Sequence, residues 1–79
     1  MKIRMYTIKD NLRGFMVPYN AINDEVAKRD FINSCQTVET MKPIKNDLDL
    51  YYLGEYEDET AEFTPNMELL IKGNSVQEV

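Results

Sequence analysis

Carboxylates recur at alternate positions in two places, Asp47 with Asp49 and then Glu55, Glu57 and Glu59. That spacing lines each set along one side of a strand, an arrangement that suits a divalent cation or proton transfer. The stretch lacks the mid-loop glycine and closing glutamate of a calcium loop, so the competing reading is a solvated acidic edge that discourages strand-to-strand aggregation. The chain has no histidine, the side chain that most often moves protons near neutral pH. Its single cysteine, Cys35, rules out an internal disulfide and leaves zinc with one thiolate and carboxylates. Gly14, Gly54 and Gly73 lie far apart and form no phosphate-cradling loop. These residues predict a protein that binds and does not catalyse, with no metal and no other cofactor.

A second constellation combines cations with a ring. Lys2, Arg4 and Tyr6 share one face of the opening strand. An exposed sheet face of this kind holds single-stranded nucleic acid, cations meeting phosphates and rings stacking on bases at about 1–3 kcal/mol each. Lys28 and Arg29 fall on the outer side of the following helix and complete the candidate nucleic-acid contacts Lys2, Arg4, Tyr6, Lys28 and Arg29. The plainer reading makes Arg4 and Tyr6 ordinary outward residues of a half-exposed sheet. Tyr51, Tyr52, Glu55 and Glu57 are the candidate protein-interaction residues. A thin domain needs most of the rings of Tyr51, Tyr52, Tyr56 and Phe63 in its core, and one or two left outside suit a dimer interface.

Charge separates along the chain, whose net value is −5. Up to Lys45 eight basic side chains outnumber five acidic ones; from Asn46 onward nine acids face the single base Lys72. The overall sign opposes phosphate binding, which is driven by Lys and Arg. The distribution admits a basic half that meets DNA, an acidic half that meets a protein, or two halves that offset each other across a sheet.

The elements that must position these residues follow from pattern. Lys2–Ile8 alternates as a strand, with Ile3, Met5 and Thr7 on one face and Lys2, Arg4, Tyr6 and Ile8 on the other. Asp10–Gly14 carries turn chemistry with a positive φ at Gly14, and Phe15-Met16-Val17 returns as a strand that Pro18 stops. Asn20 and Asn23 are both credible N-caps for a helix over about Asp24–Gln36, with Ile22, Val26, Ala27, Phe31, Ile32 and Cys35 as its apolar positions and Cys35 a small buried hydrophobe. The path of Thr37–Asp47, around Pro43, is not legible. Leu48–Tyr56 is the strongest strand, apolar or aromatic on both faces, as befits a central strand or one covered by a second subunit. Glu57–Thr60 turns, and Phe63–Thr64 and Met67–Lys72 supply further extended pieces around Pro65. The prediction is a single α+β domain over residues 1–72, a small antiparallel sheet of three to five strands packed on one amphipathic helix, with 73–79 a flexible tail. At 79 residues the core is thin, which favours a homodimer. The N-terminus has no apolar h-region and no stretch approaches the ~20 apolar residues of a spanning helix, so no membrane partner is expected.

Several segments together resemble a known family, the small non-structural proteins of gokushoviruses, the Microviridae that include the Chlamydia phages. The likeness covers most of the chain. It rests on Met5-Tyr6-Thr7 with Asp10, the Pro18-Tyr19 step, Ala27-Lys28-Arg29-Asp30-Phe31 and, most specifically, Asp49-Leu50-Tyr51-Tyr52-Leu53-Gly54-Glu55-Tyr56-Glu57-Asp58-Glu59-Thr60. Members of that group commonly place a glycine where this chain has Ala61. The resemblance implies a protein of the infected bacterium's cytoplasm, absent from the mature capsid and linked to viral single-stranded DNA synthesis through single-stranded DNA or viral or host replication proteins. It supplies no binding residues to carry over. The alternative is an acidic interaction module that engages a host or viral protein through Asp47–Glu62 without contacting DNA.

Overall fold

The run read as the opening strand forms β1, Lys2–Asp10, in the computed structural model, which describes residues 1–77. Asp10 then turns the chain: its carboxylate accepts from the backbone N–H of Leu12 (3.0 Å), its carbonyl accepts from Arg13 N–H (3.0 Å), and Gly14 takes φ 114°. The return strand is split. Only Gly14–Phe15 forms β2, Pro18 has no N–H to continue the ladder, and the chain pairs with β1 again at Tyr19–Ala21, β3.

Asn23 caps α1, Asp24–Thr37, its side-chain oxygen accepting from Val26 N–H at 2.8 Å, with Asp24 and Glu25 in the first turn where carboxylates suit the helix dipole. Ala27, Phe31 and Cys35, four residues apart, form the buried stripe, whereas Ile22, expected on that face, precedes the cap at Asn23 and is 84% exposed. The segment that pattern left unread is a short 3-10 helix, Lys42–Asp47, whose Lys45 is buried and donates from Nζ to the Val76 carbonyl at 2.8 Å.

β4, Leu48–Glu57, lies between β1 and β5, Phe63–Lys72, giving the sheet order β2-β1-β4-β5, all antiparallel, with β3 also on β1. The last pieces are thus one strand, and Pro65 is tolerated because β5 is an edge. Gly54 takes φ +140° where the pairing of β4 shifts register on both sides; a Cβ there would sit 2.1 Å from the Thr64 carbonyl oxygen. In the β4–β5 turn Ala61 adopts φ 63°, the left-handed region that glycine accepts without strain.

The sheet is covered on one face only. Tyr6, Leu48, Leu50 and Tyr52 from the strands meet Ala27, Phe31 and Cys35 from α1, and Val76 closes the cluster. Val76 also corrects the domain boundary, since Gly73–Ser75 forms a 3-10 turn, Val76 is buried and the Gln77 carbonyl accepts from Gln36 Nε2 at 2.9 Å. Residues 73–77 are therefore part of the domain and not a loose tail; Glu78 and Val79 lie outside the described residues.

Candidate nucleic-acid interface on the open sheet face

The alternation of β1 holds, but the side bearing Arg4 and Tyr6 faces the helix. Tyr6 is 0% exposed and its hydroxyl donates to Asp24 Oδ1 at 2.6 Å. Arg4 donates from Nε to the Tyr6 hydroxyl (3.0 Å) and from Nη2 to Asp24 (2.8 Å), with its guanidinium 4.1 Å above the Tyr52 ring. The Tyr6 hydrogen bond, with help from Arg4, holds the Asp24 carboxyl below its ordinary value, and burial raises the Tyr6 phenol. The expectation of an exposed stacking ring at Tyr6 is therefore corrected: its ring has no free face, and Arg4 is engaged on three sides. The remaining predicted cations have acids beside them. Lys28 lies 3.8 Å from Glu25, Arg29 3.7 Å from Asp30, and Lys2 stands opposite Glu57.

The carboxylates do not converge either. Asp49 and Glu57 occupy opposite ends of β4, Asn11 Nδ2 donates to Asp49 at 2.9 Å, and Glu57 accepts from the Met1 ammonium at 2.7 Å. Among the described residues no three of Asp, Glu and Cys come together as a metal site. The predicted interaction set is likewise divided: Tyr52 is buried under α1, Glu55 pairs with Arg4 on that side, and Tyr51 points the other way with its partner Thr7.

That other face is the exposed one. β1 presents Ile3, Met5 and Lys9 there; β4 presents Tyr51, Leu53 and Tyr56; β5 presents Phe63 and Leu69; and Phe15 lies opposite Lys9. At one end the Phe15 and Tyr51 rings meet edge to face with centroids 5.6 Å apart, and Lys9 Nζ sits 5.4 Å from the Phe15 centroid. Phe15 is 51% exposed. At the other end Met5, Pro18, Leu53, Tyr56 and Phe63 line a shallow cleft of about 360 Å³. Rings beside a cation on an open antiparallel sheet form a platform on which unpaired bases stack.

Residues 3–76 match the family described as Phage ORF5 protein. The chain belongs to that family. It is a phage protein, as the resemblance implied; no curated protein and no solved structure matches it. Among the described residues of this Phage ORF5 family member no helix is long and apolar enough to cross a membrane.

Sequence reasoning missed Lys9, Phe15 and Leu53 as parts of this face and left open which of Tyr51, Tyr52, Tyr56 and Phe63 stay outside the core. One signal for Phe15 was present, since a residue placed five positions after Asp10 in a tight hairpin must stand near Lys9. For the rest, both faces of β1 and β4 carry apolar residues, and alternation assigns residues to sides without saying which side the helix takes.

Proposed function

We propose that this phage protein is a gokushovirus non-structural accessory protein that acts in viral single-stranded DNA synthesis in the host bacterial cytoplasm, binding single-stranded DNA and catalysing nothing. The observation that supports the reading is the helix-free face, where Lys9, Phe15 and Tyr51 combine a cation with two rings at contact distance. The platform transfers the mode expected of Lys2, Arg4 and Tyr6 to the opposite side of the same strand. Stacking supplies most of the affinity, because the basic side chains on this face are few, Lys9 and Lys72, and Asp49 stands between them in the pairing.

The test is fluorescence anisotropy of a labelled single-stranded oligonucleotide at two salt concentrations, with duplex of the same sequence as competitor. The expected result is preference for the single strand, a shallow salt dependence reflecting about two phosphate contacts, and a loss of about tenfold or more on Phe15→Ala with Tyr51→Ala. No binding at low salt overturns the reading. Weight then passes to the acidic interaction module, which the four exposed or half-exposed acids Glu57, Asp58, Glu59 and Glu62 around the β4–β5 turn favour; a nuclease-resistant pull-down with loss on charge reversal there would support it.

A further inference from the structure

We infer that in the absence of DNA the open face is covered by a second copy of this chain, packed face to face with its strands running antiparallel to those of the first. Three observations lead there. The face exposes neighbouring apolar side chains: Phe15, Phe63 and Leu69 are 51%, 44% and 44% exposed, and the cleft of Met5, Pro18, Leu53, Tyr56 and Phe63 has only apolar and tyrosine side chains in its walls. Its size is sufficient. Three strands of nine or ten residues and, beside β1, the five residues of β2 and β3, at ~4.8 Å between strands and ~3.3 Å per residue, give roughly 550 Å² per copy, about 1,100 Å² for the pair, above the ~1,000 Å² a specific interface needs.

Charge selects both the occupant and its orientation. At the β4–β5 turn the face ends in Glu57, Asp58, Glu59 and Glu62, whose nearest cations are Lys2 and the Met1 ammonium. At the other end the exposed or half-exposed basic groups among the described residues are Lys9, Arg13 and Lys72, while Asp10 and Asp49 are buried and hydrogen-bonded and Asp47 is half-exposed. A two-fold axis lying in the plane of the face and across the strands brings each basic end over the partner's acidic turn. A two-fold along the strands would set acid on acid. The face is therefore complementary to itself in one orientation, as a closed two-fold interface requires.

The dimer stands on these observations alone; its displacement by single-stranded DNA rests on the proposed function, since both occupants need Phe15 and Tyr51. Sedimentation equilibrium of the full chain, from nanomolar to high micromolar concentration, reads the association. The expected result is a dimer of twice 9.3 kDa that dissociates on dilution, and loss of the dimer in Phe63→Glu with Leu69→Glu, both exposed, with the far-ultraviolet circular dichroism unchanged. The orientation is read separately: Lys9→Glu with Lys72→Glu weakens association about tenfold, and adding Glu59→Lys with Glu62→Lys restores it. A monomer at every concentration, a dimer indifferent to the Phe63 and Leu69 substitutions, or charge reversals that fail to restore one another would overturn the inference. Oligonucleotide binding by a chain that stays monomeric throughout leaves the DNA reading standing and removes this one; a dimer that no oligonucleotide dissociates does the reverse.

Discussion

On the covered face Tyr6, Leu50 and Tyr52 lie against Phe31 and Cys35 with almost no exposure, whereas on the opposite face Phe15 and Phe63, equally large and apolar, are about half exposed. One sheet supplies both sets, Tyr6, Leu50 and Tyr52 from its central strands and Phe15 and Phe63 from β2 and β5 beside them. The difference is set by the number of covering elements: one helix of 14 residues, about 21 Å long, shields one side of the sheet and nothing remains for the other. Polar groups follow the same division. Under the helix Arg4, Tyr6 and Asp24 satisfy one another, while on the open side Lys9 has a ring beside it and, among the described residues, no carboxylate within ion-pair distance.

The comparison breaks most sharply at phenylalanine. Phe31→Ala, under the helix, should lose about 3–5 kcal/mol in urea unfolding. Phe15→Ala should lose under about 1 kcal/mol when measured at concentrations where the chain is monomeric. Equal losses would mean that the two faces do not differ in kind. Gly54→Ala should come next, at about 3 kcal/mol, because the new Cβ collides with the Thr64 backbone and the positive φ is lost; a thermal melt with an unchanged midpoint would contradict the close approach of β4 and β5.

A smaller effect tests the polar side of the comparison through pH. Asp24 has its folded pKa depressed, chiefly by the Tyr6 hydrogen bond, so the unfolded chain binds the proton more readily. Stability from this group is present above the unfolded value near ~3.9 and is lost as pH falls through the folded one. Asp24→Asn should cost about 1 kcal/mol at neutral pH, discounted because the side chain is one-third exposed, and the deficit should shrink in acid; a pH-independent deficit would remove Asp24 from the linkage. The smallest change is a gain. Ala61→Gly should stabilise by up to about 1 kcal/mol, since relief of the left-handed strain at φ 63° exceeds the added entropy of the unfolded chain. A loss would show that the turn is held by something other than local backbone preference.

Much of the fold was legible because its signals are local. Asn23 with Asp24 and Glu25 marked the helix start, Gly14 the first turn, and Leu48–Tyr56 the central strand. What was not legible depends on distant contacts. Val76 reads as one apolar residue near the end of a polar segment, and only the closure of Lys45 onto its carbonyl reveals that it completes the core. The candidate site failed for the same reason. Lys2, Arg4 and Tyr6 do share a side, and Arg4 with Tyr6 reads as a binding pair until Asp24, at the start of a helix 18 residues beyond Tyr6, turns both into structural supports. A cation beside an exposed ring was expected on the Arg4 side of β1; the structure places such a pair, Lys9 with Phe15, on the other side.

Pro65 decides what kind of assembly this molecule can build. A ten-residue edge strand as exposed as β5 is ordinarily a template on which further strands add without limit. A residue with no N–H in that strand, together with the register shifts opposite Leu50 and Tyr52, interrupts the ladder such growth would copy. Sideways polymerisation is thereby disfavoured while the flat face stays free to close on a single copy. Self-association through the flat face alone would therefore give closed, finite particles and not fibrils.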